Sequence, residues 1–437
     1  MIDLIKKGIA ALQPQMVQWR RHLHAHPELS FQEHNTVAYV AEQLEAEGIE
    51  VRKGVGKLNP DSKGTGLIAL VKGEKATSNA CFAIRADLDA LPITEIGKEG
   101  YCSTTSGVMH ACGHDAHTAM VLGAGITLHR LRKHWSGTVM LVFQPGEEKE
   151  PGGASLLIKE GVFNDSKPSG ILGQHVTPEL AIGKVGFRSG PFMAAADELY
   201  ITVKGKGGHA ASPHLLVDTV LIAAHLITSL QHVVSRRNKP GRPMVLSFGK
   251  VIAQGATNII PDEVHIAGTL RTFDEEWRKE LHILIPQLSK DLAKSMGGDV
   301  DFNLVKGSPA VVNDPVLNER VRKNAVEYIG EENVVEMDIR MGAEDFAYYT
   351  QVMPGCFFRL GTGNPKKQGT TSGLHRAEFD IDEDALAIGA GLMAWSALGE
   401  LKNCCFLIPG ARVVVLNQGI HCDSSRFCTG KGSIPFI

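Results

Sequence analysis

Cys112 and His114 stand two residues apart in His110-Ala111-Cys112-Gly113-His114-Asp115-Ala116-His117. A turn ahead of a helix can aim both side chains at one point, and Gly113 between them lets the backbone bend tightly. A thiolate with an imidazole suits zinc, manganese or a similar divalent ion. The same pair also reads as a buried cysteine and a helix-start histidine with no metal. Asp115 and His117 are candidates for orienting ligands from behind. Downstream, Gln144-Pro145-Gly146-Glu147-Glu148 closes a predicted strand, the place where α/β sheets gather their sites. Adjacent carboxylates repel, and burying both without a cation is costly. A cation resolves this: Glu148 ligates it while Glu147 takes a proton from water held there. Alone, the motif reads as a solvated acidic turn.

His175 follows the predicted strand Ile171-Leu172-Gly173-Gln174, and His375 lies in Ser372-Gly373-Leu374-His375-Arg376. Singly, each reads as a structural histidine. With Cys112, His114 and Glu148 they make five ligands of suitable type at strand ends or turns. That exceeds one tetrahedral zinc with an open position, and it suits two ions sharing one bridging ligand and one water. Asp87, in Arg85-Ala86-Asp87-Leu88-Asp89, either holds a ligand imidazole or forms a salt-bridged strand end. His209 lies in the glycine-rich turn Gly205 to His214, Asn258 in the turn Gly255 to Pro261, and Arg271 near a strand end. Together these three can bind an oxyanion and a substrate carboxylate, although each alone reads as a turn or surface residue. A phosphate-binding reading of the glycines lacks the Walker lysine-serine pattern.

These side chains need a scaffold. Residues 15–47 are expected to form a helix interrupted at His26-Pro27, with Val37, Val40, Ala41 and Leu44 on its apolar face. Strands are expected at 66–71, 81–84, 137–143 and 170–173, with helices at 114–132 and 152–160. This alternation argues for an α/β domain with a largely parallel sheet. The middle of the chain changes character. Strands near 198–204, 244–252, 264–273 and 300–302 and helices over 215–236 and 274–296 give a β-α-β-β-α-β order, which suits a small antiparallel sheet backed by two helices. A helix at 343–350, a strand at 356–360 and a helix at 383–398 return to the first domain. The expected fold is therefore an α/β catalytic domain (1–188 and 304–400) with an inserted, smaller α+β, ferredoxin-like domain (189–303). Residues 401–437 read as an atypical tail, an appendage foreign to the core fold or a metal or redox tail.

The bulk composition narrows the function. With 437 residues and a 43% hydrophobic share, two domains are affordable in core material. A balance of 45 basic against 48 acidic residues offers nothing that suggests nucleic acid as a partner. No secretory signal or membrane span is read, which makes the cytoplasm the default. Eight scattered cysteines in a long chain argue against a disulfide framework.

Taken in order, the motifs resemble the metal-dependent aminoacylase and carboxypeptidase family. The closer likeness is to its amidohydrolase branch: hippurate hydrolases, bacterial N-acyl-amino acid amidohydrolases and plant indole-3-acetyl-amino acid hydrolases. The likeness runs from about Trp19 to Leu398 and includes the stretch from Arg20 to Leu29, Arg85-Ala86-Asp87, Ala111 to Asp115, Gln144 to Glu148, Gly207 to Ala210, Thr257 to Pro261 and Leu374-His375. The resemblance implies a catalytic domain with an inserted dimerisation domain, and so a homodimer or higher homo-oligomer. It implies two divalent ions, manganese or zinc with cobalt or nickel also open, bridged by Cys112. His114 and His175 would hold one ion and Glu148 and His375 the other, with Glu147 as base. It also implies that His209 reaches the partner subunit's site to stabilise the oxyanion, and that Asn258 and Arg271 hold the substrate's carboxylate. The peptidase branches usually show a histidine where Arg85 stands and an aspartate where Cys112 stands. Both departures weaken a dipeptidase or carboxypeptidase reading.

The expected reaction is hydrolysis of the amide bond of an N-acyl-amino acid, with acetyl, benzoyl, indole-acetyl and fatty acyl groups all open. One rival is a hydrolase whose nucleophile is Cys112, activated by His114. Another is a non-catalytic metal-binding protein, against which a carboxylate base beside Glu148 argues, because storage needs no base.

Overall fold

The strand Cys81–Asp87 is buried along its whole length, and it sets the middle of the larger sheet. Phe82, Ile84 and Ala86 belong to the core on one face, Cys81 and Ala83 to the core on the other. This is the two-residue period of a strand covered on both sides. The computed structural model describes residues 1–97 and 100–404. Its eight-stranded sheet runs in the order Val51–Val55, Gly66–Glu74, Ser136–Gln144, Cys81–Asp87, Ile171–Ala181, Gly355–Gly363, Val185–Phe187, Val334–Glu336. The centre is parallel: Cys81–Asp87 pairs with Ser136–Gln144 and Ile171–Ala181, and the latter with Gly355–Gly363. Antiparallel neighbours flank it on either side.

Helices Ile2–Ala25, His114–Arg130 and Ala385–Cys404 pack together over one face. His114–Arg130 is buried from His114 to Leu128, as an interior helix must be when it is apolar all round. The first helix starts at Ile2, well ahead of residue 15, and runs through Pro14. Its buried Ile5, Ile9, Leu12 and Met16 recur every three or four residues and outweigh the one hydrogen bond a proline removes. It ends at Ala25, where Pro27 disfavours helical backbone in the residue before it. A separate helix, His34–Ala46, follows. On the opposite face Gly153–Lys159 and Ala347–Thr350 cover Ala83, Met140 and Val142, with Phe346, Tyr349 and Phe357 packed among them. Each fully buried Leu or Phe side chain contributes about 1.5–3 kcal/mol, so the strand ends that carry the polar motifs are firmly held. Helix Pro315–Ile329 was not expected from the sequence. Asp314 caps it by accepting from the Leu317 N–H at 2.7 Å, with Pro315 in the first turn.

Residues 195–306 carry a second, wholly antiparallel sheet in the order Met244–Ala253, Glu263–Thr272, Ala195–Lys204, Asp299–Lys306. Helices Thr219–His232 and Glu275–Ser295 close one face over a separate core that includes Leu199, Ile201, Leu226, Leu281 and Ile285. Both helices begin on aspartate caps, Asp218 to the Leu221 N–H and Asp274 to the Trp277 N–H. Beyond Cys404 the atypical tail lies outside the described residues. Among the described residues no helix is long and apolar enough to cross a membrane.

Candidate active site

His114 opens the helix His114–Arg130, and Gly113 before it has φ 84°. A Cβ on Gly113 would stand 2.4 Å from Val176 Cγ2. Only glycine brings the Cys112 turn this close to the sheet in that conformation. Glu147 and Glu148 follow the strand Ser136–Gln144, and His175 lies within Ile171–Ala181. His375 has φ 61°, a backbone region rare for residues other than glycine and concentrated at functional sites. Its N–H donates to the Ala111 carbonyl at 2.8 Å, which ties this late turn to the early one.

The five side chains converge. The ligand atoms of Cys112, His114 and His175 lie within 4.8 Å of one another, and so do those of Cys112, Glu148 and His375. Cys112 belongs to both groups. Its Sγ is 3.3 Å from His175 Nε2 and 3.4 Å from His375 Nε2, which is itself 3.3 Å from Glu148 Oε1. His175 Nδ1 donates to the Val176 carbonyl at 2.7 Å, leaving the Nε2 lone pair aimed at the cysteine. His114 Nδ1 lies 3.3 Å from Asp89 Oδ1. Its buried Nε2 has no hydrogen bond among the described residues, and Glu148 Oε1 lies 3.9 Å from it. Buried polar atoms rarely stay unpaired. A soft thiolate, imidazoles and a carboxylate aimed at a common space fit a divalent transition ion.

The charges point the same way. Burial pushes the Cys112 thiol well up, and Glu148 and Glu147 push it further. Burial, then Glu344 and Glu148, hold the Glu147 carboxyl well above the usual carboxylate range. Burial opposes a charged His114, yet Asp87 and Asp89 carry its imidazole up to about 10. Burial and the neighbouring Arg359 hold His175 well down, in the neutral form a ligand needs. The site therefore concentrates acidic groups around the Cys112 turn. Arg85 offsets part of their charge, at 2.6 Å from Asp87, 3.0 Å from Glu344 and 2.9 Å from Asp345. Glu147 belongs to neither group centred on Cys112; its Oε1 lies 3.4 Å from the Asp345 N–H. Cys112, Glu147, Glu148, His175 and His375 all line one pocket of about 510 Å³.

Residues 83–397 match the model of Peptidase family M20/M25/M40. The chain belongs to this family. It is a hydrolase of mixed α/β fold, as its M20 relatives are. An N-acyl-L-amino acid amidohydrolase of Geobacillus stearothermophilus is 40% identical over 309 residues, 71% of this chain and 80% of that protein. IAA-amino acid hydrolase ILR1-like 4 of Arabidopsis thaliana is 39% identical over 395 residues, 89% and 86% of the two chains. A crystal structure of a Bacillus subtilis protein described as a dinuclear metal-binding peptidase of the M20 family superposes with TM-score 0.76 at 34% identity, covering 90% of this chain and 99% of that one.

Around the M20 site Asp87 and Asp115 bond groups other than the ligands, and His209, Asn258 and Arg271 lie outside this chain's own pocket. Asp87 does not hold a ligand imidazole by a hydrogen bond. It bonds His117 Nδ1 at 2.6 Å and Arg85 at 2.6 Å, and His114 Nε2 is 3.6 Å away. His117 Nε2 in turn accepts from the Val176 N–H, so this imidazole braces the sheet. Asp89 is the residue that meets His114. Asp115 turns away toward the first helix, bonding His24 at 2.7 Å and Arg20 at 2.8 Å, because it sits one residue further round the helix than His114. His209, Asn258 and Arg271 do not line the pocket. His209 and Asn258 lie together on an exposed ribbon, where the Ala210 N–H donates to the Asn258 carbonyl at 3.0 Å. Arg271 is half-buried in the second sheet and donates to Thr269 Oγ1. The sequence reading did not single out Asp89, Glu344, Arg340 or Arg359. The second aspartate of the Arg85-to-Asp89 run and an arginine inside an apolar strand were the available signals.

Glu33 supports the acidic turn from below. Its buried carboxyl accepts from the Gly146 N–H at 2.7 Å and from Thr65 Oγ1. Burial, with Asp89 adding, pushes it up from 4.5 to about 7. The native state therefore holds this proton more tightly than the unfolded chain, and stability falls as pH rises from about 4.5 to about 7. The size is roughly 3 kcal/mol. Chemical denaturation should show Glu33→Gln gaining stability over the parent at pH 8, with the gap closing toward pH 4.5. A difference independent of pH would contradict this role.

Proposed function

We propose that this chain hydrolyses the amide bond of N-acyl-amino acids with two divalent ions shared through Cys112. The observation that carries this reading is the membership of Cys112 in two ligand groups, with Glu147 outside both of them and grouped instead with His114 and Glu148 and with Glu344 and Asp345. His114 and His175 would hold one ion, Glu148 and His375 the other. Bound there, the ions would polarise the acyl carbonyl and make water acidic enough to attack near neutral pH.

The chain's own groups do the rest. Glu147 takes the proton of the attacking water and delivers it to the leaving nitrogen, so one carboxyl serves as base and then acid. Asp89 and the Val176 carbonyl fix the rings of His114 and His175, which keeps both Nε2 atoms on target. His375, with its side chain 52% exposed, marks the side from which substrate enters.

We also propose that the second sheet pairs two copies of the chain and that His209 stabilises the oxyanion in the partner's site, with Asn258 beside it. Exposure of His209 outside its own pocket supports this.

A panel of N-acyl-amino acids, followed by release of free amino acid, tests the reaction. A chelator should abolish release and manganese or zinc should restore it. Turnover that survives chelation and stops on thiol alkylation would instead establish Cys112 as a nucleophile. The high proton affinity of that buried thiol argues against this outcome.

A further inference from the structure

Arg20 lies on the first helix and is wholly buried. A buried guanidinium is costly unless its edges are matched by opposite charge. Here three carboxylates from two distant parts of the chain meet it. Nε lies 2.8 Å from Asp115, Nη2 2.6 Å from Asp380 and Nη1 3.3 Å from Glu383. Asp115 follows His114 at the Cys112 turn, and Asp380 and Glu383 close the segment that begins at His375. The other Asp380 oxygen accepts from the Tyr101 hydroxyl at 2.6 Å, and the Tyr101 ring stands 5.0 Å from the Arg20 guanidinium.

The two ligand segments also touch directly. The His375 N–H donates to the Ala111 carbonyl, and Phe379 Cζ lies 3.4 Å from where a Cβ on Gly113 would stand. Neither contact carries charge. His375 itself has φ 61°, a conformation that a residue with a Cβ keeps only where its surroundings impose it. The ion pairs through Arg20 supply such a restraint from the far end of the segment.

We propose that Arg20 is a positioning residue for the shared metal site: through Asp115 and Asp380 it holds the Cys112 turn and the His375 segment in register. Cys112 and His375 come from these separate segments and must reach one ion together. Groups that orient ligands set much of a metal's affinity. Arg20, Tyr101, Asp115, Asp380 and Glu383 do not line the pocket, so this cluster acts through the ligands and not on the substrate. The proposal rests on the two-ion reading above.

The test counts ions, so that it does not depend on turnover. Full-length protein loaded with manganese is dialysed against buffers of fixed free manganese, and the ions kept per chain are measured by elemental analysis. Asp380→Asn keeps the side-chain volume and removes the charge that faces Arg20. It should release one ion at roughly tenfold higher free manganese than the parent does, and the other within about threefold of the parent. Arg20→Lys keeps the charge without the fork and should shift the same step in the same direction. Asp314→Ala uncaps the helix Pro315–Ile329; it should lower the unfolding temperature and leave both release steps in place. Unmoved release in Asp380→Asn and Arg20→Lys would overturn the positioning role. So would an equal shift in Asp314→Ala, which would make the effect one of general stability. A parent that never holds two ions would overturn it together with the shared site. A shifted step in a protein that cleaves no N-acyl-amino acid would uphold the role of Arg20, and only the hydrolytic reading would fall.

Discussion

Glu147→Gln should retain two metal ions per chain and lose about 10³-fold or more in turnover of the best N-acyl substrate. The expectation follows from position. Glu147 stands outside both groups that share Cys112, while Glu148 next to it lies in one of them. A glutamine keeps the volume and the contact with the Asp345 N–H but cannot shuttle a proton. Positioned acid–base groups contribute roughly 10²–10⁴-fold, and a group that serves both proton transfers belongs at the upper end. Metal content by elemental analysis and kcat on the same preparation separate the cases. Loss of metal along with activity would make Glu147 a ligand; near-normal turnover would remove it from the reaction.

Cys112→Ala should cost both ions together. It removes the one atom shared by the two groups and leaves each ion a pair of protein ligands, His114 with His175 and Glu148 with His375. Two ligands are too few to hold a divalent ion at ordinary free concentrations. Occupancy should fall below one ion per chain and activity by about 10³-fold or more, since the reaction depends on the ions. The unfolding temperature should also lose its dependence on added metal, because that dependence is binding energy. Cys112→Asp is the informative partner variant. A carboxylate can bridge two ions, so it should recover metal and part of the turnover. A catalytic thiol could not be replaced in this way, and an inactive Cys112→Asp protein with full metal content would favour the nucleophile reading.

What could be read from the sequence, and what could not, divides along physical lines. The central strands were visible because runs such as Phe82-Ala83-Ile84 are buried on both faces and carry no polar residue to blur them. Cys112, His114 and Glu148 announced themselves by chemistry that is expensive to bury unpaired. The neighbours of those groups were harder. Asp87 and Asp89 lie on a single short run, and only the folded geometry shows that His114 Nδ1 meets Asp89 while Asp87 bonds His117 and Arg85. Asp115 was assigned to the site by proximity in sequence, but its helical position aims it at Arg20 and His24. Arg359 went unassigned because a buried guanidinium without a carboxylate is foreign to an ordinary core. Helix Pro315–Ile329 carried a usable start signal in Asp314-Pro315, but its buried face is narrow, with Leu317, Val321, Ala325 and Tyr328 spaced along it.

The pair of ions around Cys112 is tested most directly by anomalous diffraction from crystals grown with manganese or zinc. Two peaks should appear in each chain, both about 2.3–2.5 Å from Cys112 Sγ, one between His114 and His175 and the other between Glu148 and His375. A single peak, or peaks that leave Cys112 uncoordinated, would contradict the shared site.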